Sequence, residues 1–203
     1  VTIPLSLDGP ANEMDLSADS ITILADNWDN PSSNVVTITG IDELFADGNQ
    51  ELILITGDPA SVSPFYNAIG ADDVSNPTLT NEDDDVAQIV FNLSDNVSEN
   101  ETTSILSLSL TSAINTDVFL NLTVADNTEL IINFTELVFT KDNWNINQEI
   151  IVTGKDDPII DGDIGSEIII SIDDVLSDIT YRTVLPTSVV VINEDNDDLD
   201  GDG

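Results

Sequence analysis

The sequence has no cysteine and no histidine among its 203 residues. Disulfide bonds, thiol chemistry, structural zinc sites and serine–histidine catalysis are therefore excluded. No apolar run approaches the roughly 20 residues that a membrane-spanning helix needs, so we expect no direct insertion into a membrane. The sequence begins "VTIPLSLDG", without an initiator methionine or a signal peptide, which indicates a segment of a longer chain.

Basic side chains are scarce: three Lys and Arg oppose 40 Asp and Glu, for a formal net charge of −37. Nucleic acids and anionic membranes are poor partners for such a chain, because both would be repelled. A charge of this size often accompanies disorder, but 40% of the residues are hydrophobic and fall in short β-branched runs. We therefore predict a folded protein with a very acidic surface.

Aspartate dominates the acidic residues, with 29 Asp against 11 Glu. Asp and Asn favour turns and loops, whereas Glu favours helices. Short oxygen-bearing side chains in turns are also the ligands that Ca²⁺ prefers. The composition thus favours Ca²⁺ as a bound cofactor, and the alternative is a solvated, halophilic surface.

Strand-like alternation runs through the sequence. "ILSLSLT" (Ile105–Thr111) and "VFLNLTV" (Val118–Val124) alternate apolar and polar residues with a period of two. Short β-rich runs such as "EIIVTG" and "EIIISI" are separated by clusters of Asp, Asn, Gly or Pro, and no stretch shows helical periodicity. About seven strands in each stretch of roughly 112 residues is the pattern of an antiparallel β-sandwich.

The two halves of the chain resemble each other. The segment 26–49 matches the segment 142–163, and "NEDDD" at 81–85 matches "NEDND" at 193–197, at spacings of 112 to 116 residues. A rare tryptophan, a glycine turn and two acidic clusters agree in order. An internal repeat of this length predicts tandem domains.

The predicted domains follow this repeat. Residues 1–85 form a first β-sandwich repeat that is incomplete at its amino-terminal end, residues 86–197 form a second, complete repeat, and residues 198–203 begin a further calcium-loop segment. The first repeat lacks equivalents of "VAQIVFNLS" and "SILSLSLTS". Either the sequence begins inside a repeat, or a neighbouring molecule supplies the strands, as in donor-strand filaments.

Three segments of the second repeat resemble the Calx-beta family: "VSEN" (Val97–Asn100), "DNWNINQEIIVTGKDDPIIDGD" (142–163) and "VVVINEDND" (189–197). The resemblance covers residues 86–197 and the latter two-thirds of a repeat within 1–85, and it is strongest to the arrays of bacterial cell-surface adhesins. It implies tandem immunoglobulin-like, Greek-key β-sandwiches that bind Ca²⁺ at one end. It also implies an extracellular or cell-surface location.

The resemblance further implies which residues hold calcium. In the family, the ligands come from a glutamate near the first strand, the acidic loop after the Trp-bearing segment, and the acidic end of the last strand. The corresponding residues of the second repeat are Glu99, Asp126, Asp156, Asp157, Asp161, Asp163, Asp195 and Asp197. Those of the first repeat are Asp42, Asp47, Asp83, Asp84 and Asp85. The first repeat has no early glutamate, and it has Glu43 and Asn49 where the second has Asp157 and Asp163, so we expect a weaker site there.

The loop "KDDPIIDGD" (Lys155–Asp163) favours a bound cation on physical grounds as well. It holds four carboxylates and one lysine within nine residues. Like charges about 5 Å apart repel by roughly 3 kcal/mol at an effective dielectric constant near 20. Ca²⁺ takes about six to eight oxygen ligands in irregular geometry, and the acidic end of the last strand can complete the set. The alternative is a solvated turn.

The last residues, "DLDGDG" (198–203), have the D-x-D-x-D-G spacing that opens an EF-hand-like calcium loop. Asp198, Asp200 and Asp202 would be its first three ligands. The acidic residue expected at about position 12 of such a loop lies beyond the sequence. We therefore expect this segment to bind poorly by itself.

Two pairs of aromatic residues recur in the repeat, namely Trp28 with Trp144 and Tyr66 with Tyr181. Stacking on carbohydrate is one interpretation. Packing at the rim of each sandwich is the favoured one, because each tryptophan lies in a repeated element that is followed by a strand.

Together these patterns favour a structural function. We expect tandem Ca²⁺-dependent extender repeats of a large secreted or cell-surface adhesin or filament, in which Ca²⁺ stiffens the joint where "NEDDD" runs directly into "VAQIVF". Its partners would be neighbouring repeats of the same chain and, in a filament, other copies. The alternatives are a calcium-sensing regulatory module and a subunit of a donor-strand filament. We do not expect an enzyme, because the paired acids that could hydrolyse glycosides lie in end loops without aromatic residues around a cleft.

Overall fold

The computed structural model describes residues 1–197 and contains fifteen β-strands and no α-helix in that range. The strands are β1 (Thr2–Asp8), β2 (Met14–Leu16), β3 (Ser20–Thr22), β4 (Ile38–Gly40), β5 (Gln50–Thr56), β6 (Thr78–Asn81), β7 (Ile89–Leu93), β8 (Val97–Ser98), β9 (Thr103–Leu110), β10 (Val118–Val124), β11 (Leu130–Ile132), β12 (Glu136–Phe139), β13 (Gln148–Gly154), β14 (Ile164–Ile172) and β15 (Thr187–Glu194). The predicted all-β class is confirmed, and the antiparallel sheets are consistent with a β-sandwich. Among the described residues, no helix is long and apolar enough to cross a membrane.

The chain divides into two compact units. Unit 1 consists of Val1–Glu43 and Asp47–Asp84. Unit 2 consists of Leu44–Ala46 and the chain from Asp85 onward.

Unit 2 has two sheets that enclose one hydrophobic core. One sheet has the strand order β12-β10-β14-β15-β8, and the other has the order β11-β13-β9-β7. Alternation along each strand determines which side chains enter the core. In β9, Leu106 and Leu108 are fully buried, whereas Ile105, which directly precedes Leu106, is 41% exposed. Buried residues of both sheets belong to a single cluster, which includes Tyr181.

The two-residue strand β8 pairs in parallel, unlike the other described strands of the sheets. Val97 and Ser98 pair in parallel with Asn193 and Glu194 at the end of β15. The backbone N–H of Glu99 then donates to the Glu194 carbonyl oxygen over 3.0 Å. A short strand near the beginning of the repeat is therefore fixed beside the end of its last strand, and Glu99 follows directly.

Gly154, the last residue of β13, permits this close approach. A Cβ atom at position 154 would overlap the Ser98 carbonyl oxygen and Oδ1 of Asn193. Only glycine fits, which explains the recurring "TG" at this position. At the matching Gly40 of unit 1, a Cβ atom would overlap Oδ1 of Asn81.

Unit 1 repeats part of this arrangement. Its four-stranded sheet, β3-β1-β5-β6, has the same order as β12-β10-β14-β15, and its two-stranded sheet, β2-β4, corresponds to β11-β13. No strand in the described part of unit 1 corresponds to β7 or β9. The aromatic residues differ accordingly: Tyr181 is buried and Trp144 packs against the core, whereas Tyr66 is 53% and Trp28 is 71% exposed. The predicted rim packing thus fits unit 2, and it is wrong for unit 1.

Candidate metal site

Three segments of unit 2 meet at the end of its two sheets where β13 and β15 terminate. They are Glu99 after β8, the loop 155–163 between β13 and β14, and residues 195–197 after β15. Because β14 and β15 are antiparallel neighbours, with Ile164 opposite Asn193, the loop that enters β14 lies beside the segment that leaves β15. The hydrogen-bonded register of the sheets therefore brings these acidic residues together.

The first carboxylate group consists of Glu99, Asp195 and Asp197. Each of them offers an oxygen, and the three oxygens lie within 4.8 Å of one another. Glu99 is only 3% exposed. Its Oε2 accepts a hydrogen bond of 3.2 Å from the Asn196 backbone N–H, and Oδ1 of Asp195 accepts one of 2.8 Å from the Asp197 N–H. Backbone donors thus fix residues 195–197 beside Glu99.

The second group consists of Glu129, Asp157 and Asp161, again with oxygens within 4.8 Å of one another. Glu129 is buried just before β11, and its Oε2 accepts a hydrogen bond of 3.2 Å from Nδ2 of Asn193. The same Nδ2 donates to the Lys155 carbonyl oxygen over 2.9 Å. Asn193 therefore fixes a buried carboxylate and the first residue of the acidic loop at once.

The two groups adjoin each other. The charge of Asp157, from the second group, acts on Glu99 of the first. The Gly162 N–H donates to Oδ2 of Asp195 over 2.7 Å, and the Asp195 N–H donates to Oδ1 of Asp163 over 3.2 Å. Gly162 has a φ of +78°, a left-handed conformation that glycine adopts without strain. The acidic loop and the terminal segment thus exchange hydrogen bonds in both directions.

The electrostatics of this end shift the pKa values of Glu99 and Asp195 in opposite directions. Burial raises the pKa of Glu99. The hydrogen bond from the Asn196 N–H lowers this pKa, and the negative charges of Asp195, Asp157 and Asp197 raise it, so that the net shift is upward. By contrast, the N–H groups of Asp197 and Gly162 lower the pKa of Asp195, so that carboxylate is held ionised. Two basic side chains of unit 2 donate to backbone oxygens and not to these carboxylates: Nζ of Lys155 donates to the Asn127 carbonyl oxygen, and Nε of Arg182 donates to the Ser177 carbonyl oxygen.

The donor set fits a hard cation. Both groups offer carboxylate oxygens alone, the donors that Ca²⁺ prefers, with ligands at about 2.3–2.6 Å. Two oxygens on opposite sides of one such ion would be about 5 Å apart, and those of each group lie within 4.8 Å. Mg²⁺ is less suited, because it demands a stricter octahedron and retains its water.

Other predicted ligands lie outside these two groups. Oδ1 of Asp126 accepts hydrogen bonds from the backbone N–H and the hydroxyl of Thr128, at 2.9 and 2.5 Å, so it closes its own turn. These bonds lower the pKa of Asp126. Oδ1 of Asp163 accepts the hydrogen bond from the Asp195 N–H, and neither Asp163 nor Asp156 belongs to the two groups. Asp198, Asp200 and Asp202 lie outside the described residues.

Unit 1 reproduces several of these contacts with fewer acids. Carboxylate oxygens of Asp42 and Asp84 lie within 4.8 Å of each other. Oδ2 of Asp83 accepts a hydrogen bond of 2.6 Å from the N–H of Gly48, whose φ is +81°. Asp47 belongs to no three-carboxylate group among residues 1–197, and Asp85 is assigned to unit 2.

Sequence reasoning missed two buried glutamates, Glu129 and its counterpart Glu13. Nδ2 of Asn81 donates to Oε2 of Glu13 over 3.2 Å, just as Asn193 donates to Glu129. The signal that could have found them is their spacing of 116 residues, which falls within the repeat already recognised.

The chain matches no protein-family model, and it matches no curated protein. The resemblance to Calx-beta repeats therefore stays a prediction that rests on the quoted motifs. The two carboxylate groups do not depend on that resemblance, because they follow from the geometry of unit 2.

Proposed function

We propose that the chain consists of calcium-binding structural repeats, each a Greek-key, immunoglobulin-like sandwich of the Calx-beta type. The observation that carries the proposal is the meeting of six carboxylates at one end of unit 2, two of them buried, in two groups with ion-sized spacing. Glu99, Asp195 and Asp197 would hold one ion, and Glu129, Asp157 and Asp161 would hold a second. Calcium would supply positive charge to balance these carboxylates.

The proposed role of the ions is to fasten segments that would otherwise repel. Glu99 lies at the start of the repeat, Asp157 in its middle and Asp197 at its end. The first ion would join the segment after β8 to the segment after β15, and the second would join the loop 155–163 to the residue before β11. A chain of such repeats, in which "NEDDD" runs into the next repeat without a flexible linker, would stiffen when calcium binds.

We place this function in a large secreted or cell-surface adhesin or filament. Many weak sites are sufficient there, because extracellular modules bind Ca²⁺ with dissociation constants of about 10⁻⁴–10⁻³ M. A calcium-sensing regulatory module is the alternative. It would need dissociation constants of about 10⁻⁷–10⁻⁵ M and a change of shape on binding.

Calcium titration of the full chain by calorimetry, with thermal unfolding in parallel, tests the proposal. A ligand that binds only the folded state stabilises it by about 2.7 kcal/mol at 100 times its dissociation constant. We expect a saturable rise in melting temperature with CaCl₂ that NaCl of equal ionic strength does not reproduce. The midpoint of the rise separates the extender from the sensor.

Two variants make this test specific. Asp157→Asn removes one carboxylate from the second group and should weaken calcium binding. Glu149→Gln removes one carboxylate from the exposed face of β13, outside both groups, and should leave binding unchanged. Equal responses of the two variants would contradict the proposed sites, and so would a wild-type melting temperature that depends on ionic strength alone.

A further inference from the structure

A short piece of the acidic loop between β4 and β5 belongs to unit 2. This piece is Leu44–Ala46. The Ala113 N–H donates to the Leu44 carbonyl oxygen over 2.7 Å, and Phe45 forms a parallel β-bridge with Ala113. Unit 2 therefore holds the tip of this loop through the backbone.

The position that receives the tip is fixed on both sides. Ala113 lies in the connection between β9 and β10. Before it, the Ser112 N–H donates to the hydroxyl of the buried Tyr181 over 3.0 Å, and after it, the Asn115 N–H donates to Oδ2 of Asp178 over 2.8 Å. Between these two anchors, the Ala113 N–H is presented to a carbonyl oxygen from a distant part of the chain.

The acidic loop between β13 and β14 has the same geometry at its base. Gly48 and Gly162 have φ angles of +81° and +78°. The Gly48 N–H donates to Oδ2 of Asp83 over 2.6 Å, and the Gly162 N–H donates to Oδ2 of Asp195 over 2.7 Å. The glycines that begin the two loops have the same spacing in the sequence as the glycines that end them, so the loops have equal length.

The tip of this second loop exposes two apolar side chains. Residue for residue, Leu44–Ala46 corresponds to Pro158–Ile160. Ile159 is 56% exposed and Ile160 is 52% exposed, in a loop that carries four carboxylates. Removal of their apolar surface from water would be favourable.

The backbone of this tip suits the contact that is made at Ala113. Pro158 stands in the place of Leu44, and that contact uses the carbonyl oxygen of this position. Proline retains its carbonyl oxygen and lacks only the N–H. The Ile159 N–H donates to Oδ1 of Asp157 over 2.9 Å, which fixes the tip relative to the rest of the loop.

We propose that Pro158–Ile160 docks on a further repeat of the unit 2 type that follows in tandem. The Pro158 carbonyl oxygen accepts a hydrogen bond from the N–H at the Ala113 position of that repeat, and Ile159 takes the place that Phe45 has beside Ala113. The contact uses backbone and apolar groups and no cation. It therefore goes beyond the proposed calcium function and shares with it only the tandem arrangement.

A repeat connected in tandem is a better occupant than a separate molecule. In the chain itself, the Ala113 N–H is already bonded to Leu44. One backbone hydrogen bond and two isoleucine side chains also form a small contact, and association of separate molecules loses translational and rotational freedom. A covalent connection removes most of that loss, because it raises the effective concentration of the partner.

The test uses the full chain with a second copy of residues 86–197 inserted directly after Asp197. In this fusion "NEDND" runs into "VAQIVF" as "NEDDD" does in the natural sequence. Segmental isotope labelling distinguishes the inserted repeat, and hydrogen exchange is measured at the amide of its Ala113. We expect this amide to exchange about tenfold more slowly than in the same fusion with I159S and I160S in the first copy, the effect of about one hydrogen bond.

A matched control and a second arm make the test specific. The control fusion carries I131S and I146S in the first copy, which replace isoleucines of similar exposure, 56% and 57%, outside the loop, and its exchange should not change. In the full chain without the insert, L44S together with F45S should accelerate exchange of the Ala113 amide, because the corresponding contact is weakened.

Loss of protection with I159S and I160S, but not with the control, supports the proposal. Equal exchange in all three fusions overturns it, and so does an unchanged Ala113 amide in the second arm. If the full chain without the insert self-associates and I159S with I160S abolishes that association, the occupant is a second copy, and the proposal is overturned. Calcium is kept at one concentration throughout, and a separate calcium titration of the fusion shows whether the proposed metal sites fail independently.

Discussion

Nδ2 of Asn193 donates a hydrogen bond of 3.2 Å to Oε2 of Glu129, and both residues are buried. The residues are 64 positions apart, and the bond joins the end of β15 to the residue before β11. It links the two sheets of unit 2 at the end that carries the carboxylate groups. Asn81 and Glu13 form the same bond in unit 1, so the repeat preserves it.

The variant Asn193→Ala should lower the free energy of unfolding of unit 2. It removes the donor from a buried carboxylate, and a hydrogen bond to a charged group contributes about 1.5–3 kcal/mol. Urea denaturation of the full chain in the presence of chelator measures the change. Asn147→Ala, at an exposed position outside the groups, is the control and should shift the midpoint little. Equal effects of the two substitutions would contradict the stabilising role of the Asn193–Glu129 hydrogen bond.

The variant Gly162→Ala should cost about 1–2 kcal/mol, because an L-residue is strained in the left-handed conformation. The cause is conformational alone: no atom lies within 4 Å of the Cβ position. Any relaxation of φ from +78° also moves the N–H that donates to Asp195, so calcium binding should weaken as well. Denaturation and calcium titration measure the two effects.

Gly162→Asn separates strain from bulk, because asparagine tolerates the left-handed region better than alanine does. It should lose less stability than Gly162→Ala. If the larger asparagine is the more destabilising of the two, then crowding and not the φ angle is the cause.

Asp178 should determine part of the acid stability of unit 2. Burial raises the pKa of its carboxyl group, but hydrogen bonds from the backbone N–H groups of Thr116, Thr180 and Asn115 outweigh burial and lower the pKa below its ordinary 3.8. A lowered pKa in the folded state means that the stability from Asp178 is present above 3.8 and is lost as the pH falls through the lowered value.

Asp178→Asn should therefore lower the free energy of unfolding by about 1.5–3 kcal/mol near neutral pH, the contribution of a hydrogen bond to a charged group. The difference from wild type should shrink as the pH falls below 3.8. Urea denaturation over a pH series gives both quantities, with the exposed Asp174→Asn as control. A difference between wild type and variant that is constant with pH would contradict the assignment.

The strands were largely predictable, because alternation with a period of two is a local property. The predicted runs Ile105–Thr111 and Val118–Val124 correspond to β9 (Thr103–Leu110) and β10 (Val118–Val124). The two-residue strand β8 was not predictable. It exists through its pairing with β15, almost a hundred residues away, and two residues carry no periodic signal.

The ligands that lie in acidic runs of the sequence were predicted. A single acidic residue that only the fold brings to the site was not predicted. Asp157, Asp161, Asp195 and Asp197 lie in acidic runs, whereas Glu129 stands next to an apolar strand and joins them through the packing of β11 against β13. Asp126, three residues earlier, has the composition of a ligand, but its carboxylate is committed to Thr128. Which of two neighbouring acids faces the site depends on turn geometry that the sequence does not display.

Glu99→Gln should have opposite effects with and without calcium. In chelator, the variant should be more stable than wild type, because the neutral amide removes a buried charge that faces Asp195, Asp157 and Asp197. The sign follows from the raised pKa, which means that folding disfavours the ionised form of Glu99 above its ordinary pKa of 4.5. In saturating calcium, wild type should be the more stable protein, because the amide is a weaker ligand for Ca²⁺ than the carboxylate it replaces.

Thermal unfolding of wild type and Glu99→Gln across a calcium series should give two curves that cross, and the exposed Glu167→Gln variant should run parallel to wild type. Curves for Glu99→Gln that never cross would mean that the buried glutamate acts on stability alone and is not a calcium ligand.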